Sequence, residues 1–436
     1  MASGEKFDCI VVGAGPAGTT CAYALAKAGL SVVLLERGEK PGSKNVMGGI
    51  LYSTILNRVI PNFWETAPVE RRIVQKKFAV LSDDSEVGLG LRFEGFNKPP
   101  YNNTFSVLRG KFDAWYASKA EEAGVMILNE AVVDKIIMDG KKAVGVKTRL
   151  EDGDLYADMV VVAEGVTSLL AQSLGLREKH VPEHMVTCCK EVIALPKEAI
   201  EERFGIEGEE GASLEYFGGS VKGLVGSAFI YTNKESVSVG IGVSTNDLKN
   251  NKLTPNDIIE NFKAHPSIRH YIKGGKLLEY SAHMIPEFGY DHLPKLAIDG
   301  LIIAGDAAGF VNMNPLYHEG SNLAMASGLA AAETIIEAKK NNDFSEKALA
   351  GYRKKLEGSF VLKDLKRYKG ISSFALKHPE FFKEYPELLI KLAEEFFTVS
   401  ETPKGKSRMA VIKKGLKSVN LVKLAIGMNR ARKVMF

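Results

Sequence analysis

Apolar residues in this chain gather into short unbroken runs that end in glycine. Ile10-Val11-Val12 enters Gly13-Ala14-Gly15-Pro16-Ala17-Gly18, the run 158–163 enters Glu164-Gly165, and Leu301-Ile302-Ile303-Ala304 enters Gly305-Asp306. A fourth run, Val32-Val33-Leu34-Leu35, ends at Glu36. A run apolar at every position reads as a strand buried on both faces, as in a parallel sheet. Between the first and fourth runs, residues 19–28 predict a helix. Over 185–245 the pattern changes to alternation, as in Ser213-Leu214-Glu215-Tyr216-Phe217 and Ser236-Val237-Ser238-Val239-Gly240-Ile241-Gly242-Val243. Gly218-Gly219 and Thr232-Asn233-Lys234 punctuate these stretches, which predicts antiparallel sheet with short connections. From 341 onward the pattern is helical, with breaks expected at Pro379, Pro386 and Pro403. There is no internal repeat.

The first glycine cluster is a G-x-G-x-x-G turn between a strand and a helix. Gly13 suits the tight bend, Gly15 a close backbone approach, and Gly18 the packing of helix on strand. Pyrophosphate would rest on the exposed amides and positive end of the helix that follows the turn. Glu36, at the end of the second strand, is placed to accept hydrogen bonds from ribose hydroxyls. The chain is expected to bind a dinucleotide.

Composition and charge refine this picture. At 436 residues the chain exceeds one ordinary core, so two or three domains are expected. No run approaches the roughly 18 apolar residues of a membrane span, and the N-terminus lacks the regions of a signal peptide. Cys9, Cys21, Cys188 and Cys189 form neither a C-x-x-C nor a four-thiolate spacing for zinc or an iron–sulfur cluster. Cys9 and Cys21 read as core residues; Cys188 and Cys189 read as strand packing, with a redox pair as the alternative. Residues 402–436 hold ten Lys or Arg and no acid. In that tail Ile412, Leu416, Val419, Val422 and Ile426 recur at helical spacing, with Lys413, Lys414, Lys417 and Lys423 largely elsewhere. Such a helix suits an anionic membrane surface, an acidic partner, or docking on its own domain.

Flavoprotein oxidoreductases of the glutathione-reductase-like, hydroxylase-type branch carry an Asp-Gly and a Gly-Asp pair at the two later strand ends. This sequence resembles that pattern, with Glu164 where Asp is usual, which weakens a role for that side chain. Three further stretches narrow the family. Pro41-Gly42-Ser43-Lys44-Asn45-Val46-Met47-Gly48-Gly49-Ile50-Leu51-Tyr52 follows the second strand, and Leu108-Arg109-Gly110-Lys111-Phe112-Asp113 opens a helix. Asn314-Pro315-Leu316-Tyr317-His318-Glu319-Gly320-Ser321-Asn322 leads into an Ala-rich helix. Together with Tyr385-Pro386-Glu387-Leu388-Leu389 and Phe397-Thr398-Val399, they resemble the electron-transfer-flavoprotein:quinone oxidoreductase family. Within it the stretches resemble the branch of FixC-type subunits, in the geranylgeranyl-reductase-like flavoprotein superfamily.

The resemblance implies an α/β fold. A Rossmann-like FAD-binding domain would comprise 1–55, 105–176 and 290–340. An inserted antiparallel-sheet domain for substrate or quinone would comprise 56–104 and 177–289, with a C-terminal helical region over 341–436. It implies FAD held by Gly13, Gly15, Pro16, Ala17, Gly18, Glu36, Arg37, Lys44, Asn45, Gly48, Gly49, Arg109, Val132, Glu164, Gly165, Gly305, Asp306, Gly320, Ser321 and Asn322. Amides at the start of the helix after Gly320 would face the flavin pyrimidine edge and stabilise negative charge there. Tyr317, His318 and Glu319 form a titratable cluster beside the expected flavin edge, a candidate proton relay. No second dinucleotide turn exists for NAD(P)H.

Full-length members of the family end in a cysteine-ligated iron–sulfur domain, whereas this chain has no cysteine after Cys189. In the FixC branch a separate ferredoxin-like protein supplies the cluster. The implied partners are therefore electron transfer flavoprotein subunits, that iron–sulfur protein and a quinone, menaquinone above others, with no nucleic acid. The implied location is cytoplasmic, peripheral at the inner face of the cell membrane. The rival reading is a prenyl reductase of the geranylgeranyl-reductase type.

Overall fold

The computed structural model describes residues 6–44, 49–151, 153–287, 289–314, 316–418 and 421–435. The chain forms two compact units. One comprises Met1–Glu70, Asn103–His184 and His283–Lys369; the other comprises Arg71–Asn102, Met185–Ala282 and Gly370–Phe436.

In the first unit the four apolar runs lie side by side. Leu301–Ile303 pairs parallel with Asp154–Val162, which pairs parallel with Phe7–Val12. That strand pairs parallel with Val32–Leu35, which pairs parallel with Met126–Leu128. Residues 160–162 and 301–303 are wholly buried. Each such side chain contributes about 1.5–3 kcal/mol by leaving water, so the run that identifies the strand also holds it in place. The parallel register brings the ends of Phe7–Val12, Asp154–Val162 and Leu301–Ile303 to one edge, where the three glycine turns begin. Lys142–Thr148 adds antiparallel to the early part of Asp154–Val162, and Val133–Asp139 adds to that strand in turn.

One helix packs on the first two strands of this sheet and a longer one packs on that helix. Pro16–Lys27 starts three residues earlier than the pattern suggests, because proline suits a first helical turn. Ser321–Asn341 lies directly against it. Residues 341–369, part of the expected C-terminal helical region, pack with this unit. Tyr352, on the helix Gly351–Gly358, is buried there and donates to the Ile303 carbonyl at 3.0 Å.

The second unit is built on an extended sheet. Its strands run in the order Lys276–Pro286, Met185–Ala194, Ser236–Ser244, Gly226–Thr232, Glu210–Gly218 and Val69–Leu81, with Glu86–Arg92 also paired to the last. The predicted alternating strands are antiparallel as expected. Glu210–Gly218 also pairs with Val69–Leu81, in parallel. One sheet face is covered by the helices Lys197–Phe204, Thr245–Asn251, Pro255–Ala264 and Pro266–Ile272 through a core that includes Leu214, Tyr216, Ile230, Ile241, Ile259 and Phe262. Arg71 is fully buried and donates to the carbonyls of Gly208, Glu210, Asn233 and Lys234, tying two loops to this sheet.

The C-terminal part of this unit is helical. Pro386 lies in the first turn of Glu384–Phe397 instead of breaking a helix, since no intrahelical donor is needed there. The basic tail forms two helices, Lys404–Ser418 and Leu421–Met435, where the pattern suggests one. Gly415 lies against Leu392 and Gly427 against Phe381, so both helices dock on their own unit. Ile412 and Ile426 nonetheless remain 48 % exposed. Val419 lies outside the described residues, as do the side chains of Leu416, Val422 and Lys423.

Candidate functional site

The candidate site is assembled in the first unit where the strand ends converge. Gly13 adopts a left-handed φ of +103°, and a Cβ there would come within 2.3 Å of the Ala163 carbonyl oxygen. Its N–H donates to Leu35 O at 2.8 Å. A Cβ on Gly18 would lie 1.9 Å from Gly13 O, so helix and turn meet backbone to backbone. Gly15 differs: a Cβ there would meet nothing within 4 Å. It precedes the Pro16–Lys27 helix with no side-chain cap, and the first turn holds no acid. The open amides of that turn, at the positive end of the helix, form a cradle for an anion.

Glu36 is tied into the same turn. One carboxylate oxygen accepts from Ala14 N–H at 3.2 Å and the other from Gly38 N–H at 2.7 Å. The carboxylate keeps further acceptor positions for hydroxyl donors. Arg37 and Lys44 are exposed, Val132 is half-buried, and Gly49 is buried. Asn45 and Gly48 lie outside the described residues.

At the second strand end Glu164 turns toward its own chain. Its carboxylate accepts from Leu170 N–H at 2.9 Å and Ala171 N–H at 3.1 Å, capping the short helix Leu169–Ser173. Burial raises its pKa, against the pull of those amides. Gly165 beside it takes a left-handed φ of +72° with open space around it.

The third strand end carries the most telling group. Gly305 donates to Ser327 Oγ at 2.9 Å, and Asp306 follows, close to Arg109 and Arg177. Among the described residues nothing donates a hydrogen bond to the Asp306 carboxylate. Burial pushes its pKa up, opposed by the two guanidinium groups. An enclosed carboxylate without donors is costly unless a ligand supplies them. Arg109 is itself buried and forms a two-point ion pair with Asp113, at 2.8 and 2.7 Å. One remaining guanidinium nitrogen reaches Ser321 Oγ at 3.5 Å.

Ser321–Asn341 also starts without a side-chain cap, behind Gly320 and with no acid in its first turn. The Asn322 side chain is committed within the protein. Its Oδ1 accepts from Ile55 N–H at 3.2 Å, and its Nδ2 donates to Glu319 Oε1 at 2.7 Å. Tyr317, His318 and Glu319 form the second strand of a small hairpin with Asn312–Asn314. Tyr317 is 52 % exposed. Burial pushes the His318 imidazole down to about 4 and raises Glu319.

Three groups escaped sequence reasoning. Arg177 donates to Ser168 Oγ at 2.8 Å and to the Asp306 and Ala307 carbonyls, joining the second and third turns. Burial lowers it to about 10, opposed by Asp306 and Glu164. His283 is pushed down to about 4 by burial and by Arg109 and Arg37. Asp113 holds Arg109; its i+4 spacing was the one signal the sequence carried.

These features fit a dinucleotide: two helix starts without side-chain caps, a carboxylate with acceptor positions to spare, and an acid to whose carboxylate nothing donates among the described residues. Comparison with known proteins specifies which. Residues 8–173 match the family model of FAD-dependent oxidoreductases. Residues 197–285 match the ubiquinone-binding model of ETF-QO proteins, and 371–436 match the C-terminal domain of the ETF-QO/FixC family. Protein FixC of Azorhizobium caulinodans is 45 % identical, covering 92 % of each chain. A protein of Escherichia coli named probable electron transfer flavoprotein-quinone oxidoreductase YdiS is 40 % identical, over 97 % of this chain and 98 % of its own.

This chain belongs to the ETF-QO/FixC family. It is an FAD-dependent oxidoreductase with a quinone-binding domain. Among solved structures, a geranylgeranyl bacteriochlorophyll reductase-like protein of Thermoplasma acidophilum superimposes with a TM-score of 0.72. The identity is 22 %, over 94 % of this chain and 96 % of the other. A flavin-dependent brominase follows at TM-score 0.63 and 18 % identity, over 95 % of this chain and all of the other. Both likenesses are of fold. Among the described residues, no helix is long and apolar enough to cross a membrane.

Proposed function

We propose that this chain accepts electrons from a reduced electron transfer flavoprotein by way of a ferredoxin-like iron–sulfur protein and passes them through FAD to menaquinone. The observation that carries the reading is the joint match of 197–285 and 371–436 to quinone-oxidoreductase family models, beside a separate FAD oxidoreductase match. The need for a separate iron–sulfur protein rests on the cysteines. All four are buried thiols outside any disulfide, and only Cys188 and Cys189 are adjacent in the sequence. Burial pushes the Cys189 thiol up to about 12, which suits packing over ligation.

FAD supplies reversible two-electron chemistry when bound. In this reading the first-turn amides after Gly15 hold its pyrophosphate, Glu36 its adenosine ribose and Asp306 the hydroxyls of its ribityl chain. Arg109, positioned by Asp113, faces a phosphate. The start of the helix after Gly320 faces the ring edge where negative charge accumulates. Glu164 acts through its backbone, since its carboxylate caps a helix. His318 relays one proton for quinone reduction; as a neutral imidazole it passes a proton without storing one. His318→Ala is expected to slow quinone reduction with FAD retained, and unchanged turnover across pH would remove that role.

Exposed Met409, Ile412, Ile426 and Met428, interspersed with lysines and arginines, support peripheral contact with the anionic inner face of the cell membrane. The deciding experiment is anaerobic. The flavoprotein is mixed with reduced electron transfer flavoprotein, the ferredoxin-like protein and a short-chain menaquinone analogue, and quinol is followed. Quinol formation that stops when this chain is omitted supports the reading. A flavin that stays oxidised beside competent partners removes it and brings prenyl reduction forward.

A further inference from the structure

Within the first unit the second and third glycine turns lie against each other. Gly165–Thr167 follows the strand that ends at Val162, and Gly305–Ala308 follows Leu301–Ile303. Arg177, only 8 % exposed, comes from beyond the short helix Leu169–Ser173 and bonds to both turns. Its Nη1 sits among three oxygens: Ser168 Oγ at 2.8 Å, Asp306 O at 3.1 Å, and the Ala307 carbonyl. Ser168 is itself buried, with a left-handed φ of +48°. Its hydroxyl lies 3.1 Å from the Gly165 and Val166 carbonyls, so it is fixed to the second turn as it accepts from the guanidinium. One cation thus closes over one turn through a side chain and over the other through its backbone.

These three acceptors are uncharged, so they orient the guanidinium without neutralising it. Two carboxylates feel its charge, Asp306 and then Glu164. Glu164 already accepts from the Leu170 and Ala171 N–H groups, whereas nothing among the described residues donates to the Asp306 carboxylate. Asp306 is half-buried and faces cations from two elements. Arg109, on the helix Arg109–Glu122, acts on it more strongly, and Arg177 acts beside it. Arg109 is bonded at two points to Asp113, which offsets its charge. Two histidines complete the surroundings, His180 near Arg177 and His283 near Arg109. Burial lowers the pKa of each, and the neighbouring guanidinium lowers it further, so both are neutral at pH 7.

We propose that Arg177 is a positioning residue for FAD, which locks the second and third turns together and keeps the Asp306 carboxylate an acceptor for ribityl hydroxyls. The role rests on the reading above in which Asp306 meets the ribityl chain. A carboxylate accepts at both oxygens, whereas a protonated carboxyl accepts less well and must itself donate. Burial pushes Asp306 above its ordinary range, and the two guanidinium groups oppose that rise. Without Arg177 the rise is larger, so the carboxylate is lost at a higher pH. Affinity for FAD then declines on acidification from a higher pH than in the parent protein. Arg177 acts on FAD through Asp306 and through the two turns it joins.

The test uses the full-length protein freed of FAD and titrated with FAD and, separately, with ADP. ADP carries the adenosine and pyrophosphate but no ribityl chain. Arg177→Gln keeps a donor for the carbonyls and loses the charge; Arg177→Lys keeps the charge and loses the planar fork. At pH 7 Arg177→Gln is expected to bind FAD tenfold or more weakly, with ADP within twofold of the parent. Its FAD affinity should also begin to fall at a higher pH. Arg177→Lys should weaken FAD threefold to tenfold and keep the parent's pH profile. A general loosening of the fold would instead weaken ADP as much as FAD at every pH. That result, or FAD affinity within twofold of the parent in Arg177→Gln, overturns the proposal. If Arg177→Gln fails to fold, Arg177→Lys carries the test, and FAD unchanged or FAD and ADP weakened alike overturns it. Asp306→Asn separates the two readings. FAD affinity and pH profile unchanged in that variant would remove Asp306 from the ribityl chain, and the role of Arg177 with it. FAD weakened by Asp306→Asn but not by the Arg177 variants would remove the role of Arg177 alone.

Discussion

Gly15 occupies the place where many helices carry a capping side chain, and it has room for one. Its φ of −79° is open to any residue, so Gly15→Asp can fold. An aspartate there would cap the free amides itself and repel a pyrophosphate. We expect normal or slightly raised thermal stability with FAD affinity reduced tenfold or more, read from the flavin-to-protein absorbance ratio and a titration of the apoprotein. A loss of folding without loss of affinity would contradict the cradle.

His318 makes a second prediction at this scale. Its folded pKa, about 4, lies below the ordinary value of 6.5. Above pH 6.5 both folded and unfolded chains hold it neutral, so its full contribution is present. As pH falls from 6.5 toward 4, the unfolded chain takes up a proton that the folded chain resists. Stability is then lost, by about 3 kcal/mol once both forms are protonated. His318→Gln should flatten the acid limb of a melting-temperature profile between pH 6.5 and 4, and an unaltered limb would place the effect elsewhere.

At the scale of elements, the contact between Pro16–Lys27 and Ser321–Asn341 decides how closely two turns of the site approach. Gly328 sits on the long helix directly over Ala17, and a Cβ there would lie 2.1 Å from the Ala17 carbonyl oxygen. Backbone cannot yield as a flexible side chain would. Gly328→Ala should therefore cost about 1–3 kcal/mol, seen as a lower denaturation midpoint, and weaken FAD because the glycine turn moves with the helix. The Gly328 substitution acts on packing and Gly15→Asp acts on charge. Only the first should lower stability.

For the whole molecule, the two terminal helices combine both expectations for the tail. Gly415 and Gly427 face inward against Leu392 and Phe381, while Met409, Ile412, Ile426 and Met428 face outward among basic side chains. If that surface rests on anionic lipid, Lys413→Glu with Lys417→Glu should reduce binding to phosphatidylserine-containing vesicles by tenfold or more. Each basic residue near such a surface is worth about 1 kcal/mol. Raised salt should weaken the parent protein in the same direction. Sedimentation unchanged by charge reversal and by salt would favour docking alone.

The sequence by itself determined the parallel sheet and its glycine turns, because a strand buried on both faces must be apolar throughout and a turn without room for Cβ must be glycine. Gly13, Gly18 and Gly305 carry that information locally. It also determined the alternating strands of the second unit, whose two faces meet different surroundings. Tertiary structure alone decided the rest. Arg177 joins two turns separated by well over a hundred residues, and nothing near it in the chain signals this. Glu164 stands where the sequence pattern expects Asp, which weakened a role for its side chain, and only the fold shows that its carboxylate caps the helix that follows. Glu215 and Tyr231 each read as members of an alternating strand; only the register of neighbouring strands places a phenol on a carboxyl and buries both. Local pattern reports whether a position is buried or turned, whereas charge, proton affinity and partnership depend on groups that folding brings from elsewhere.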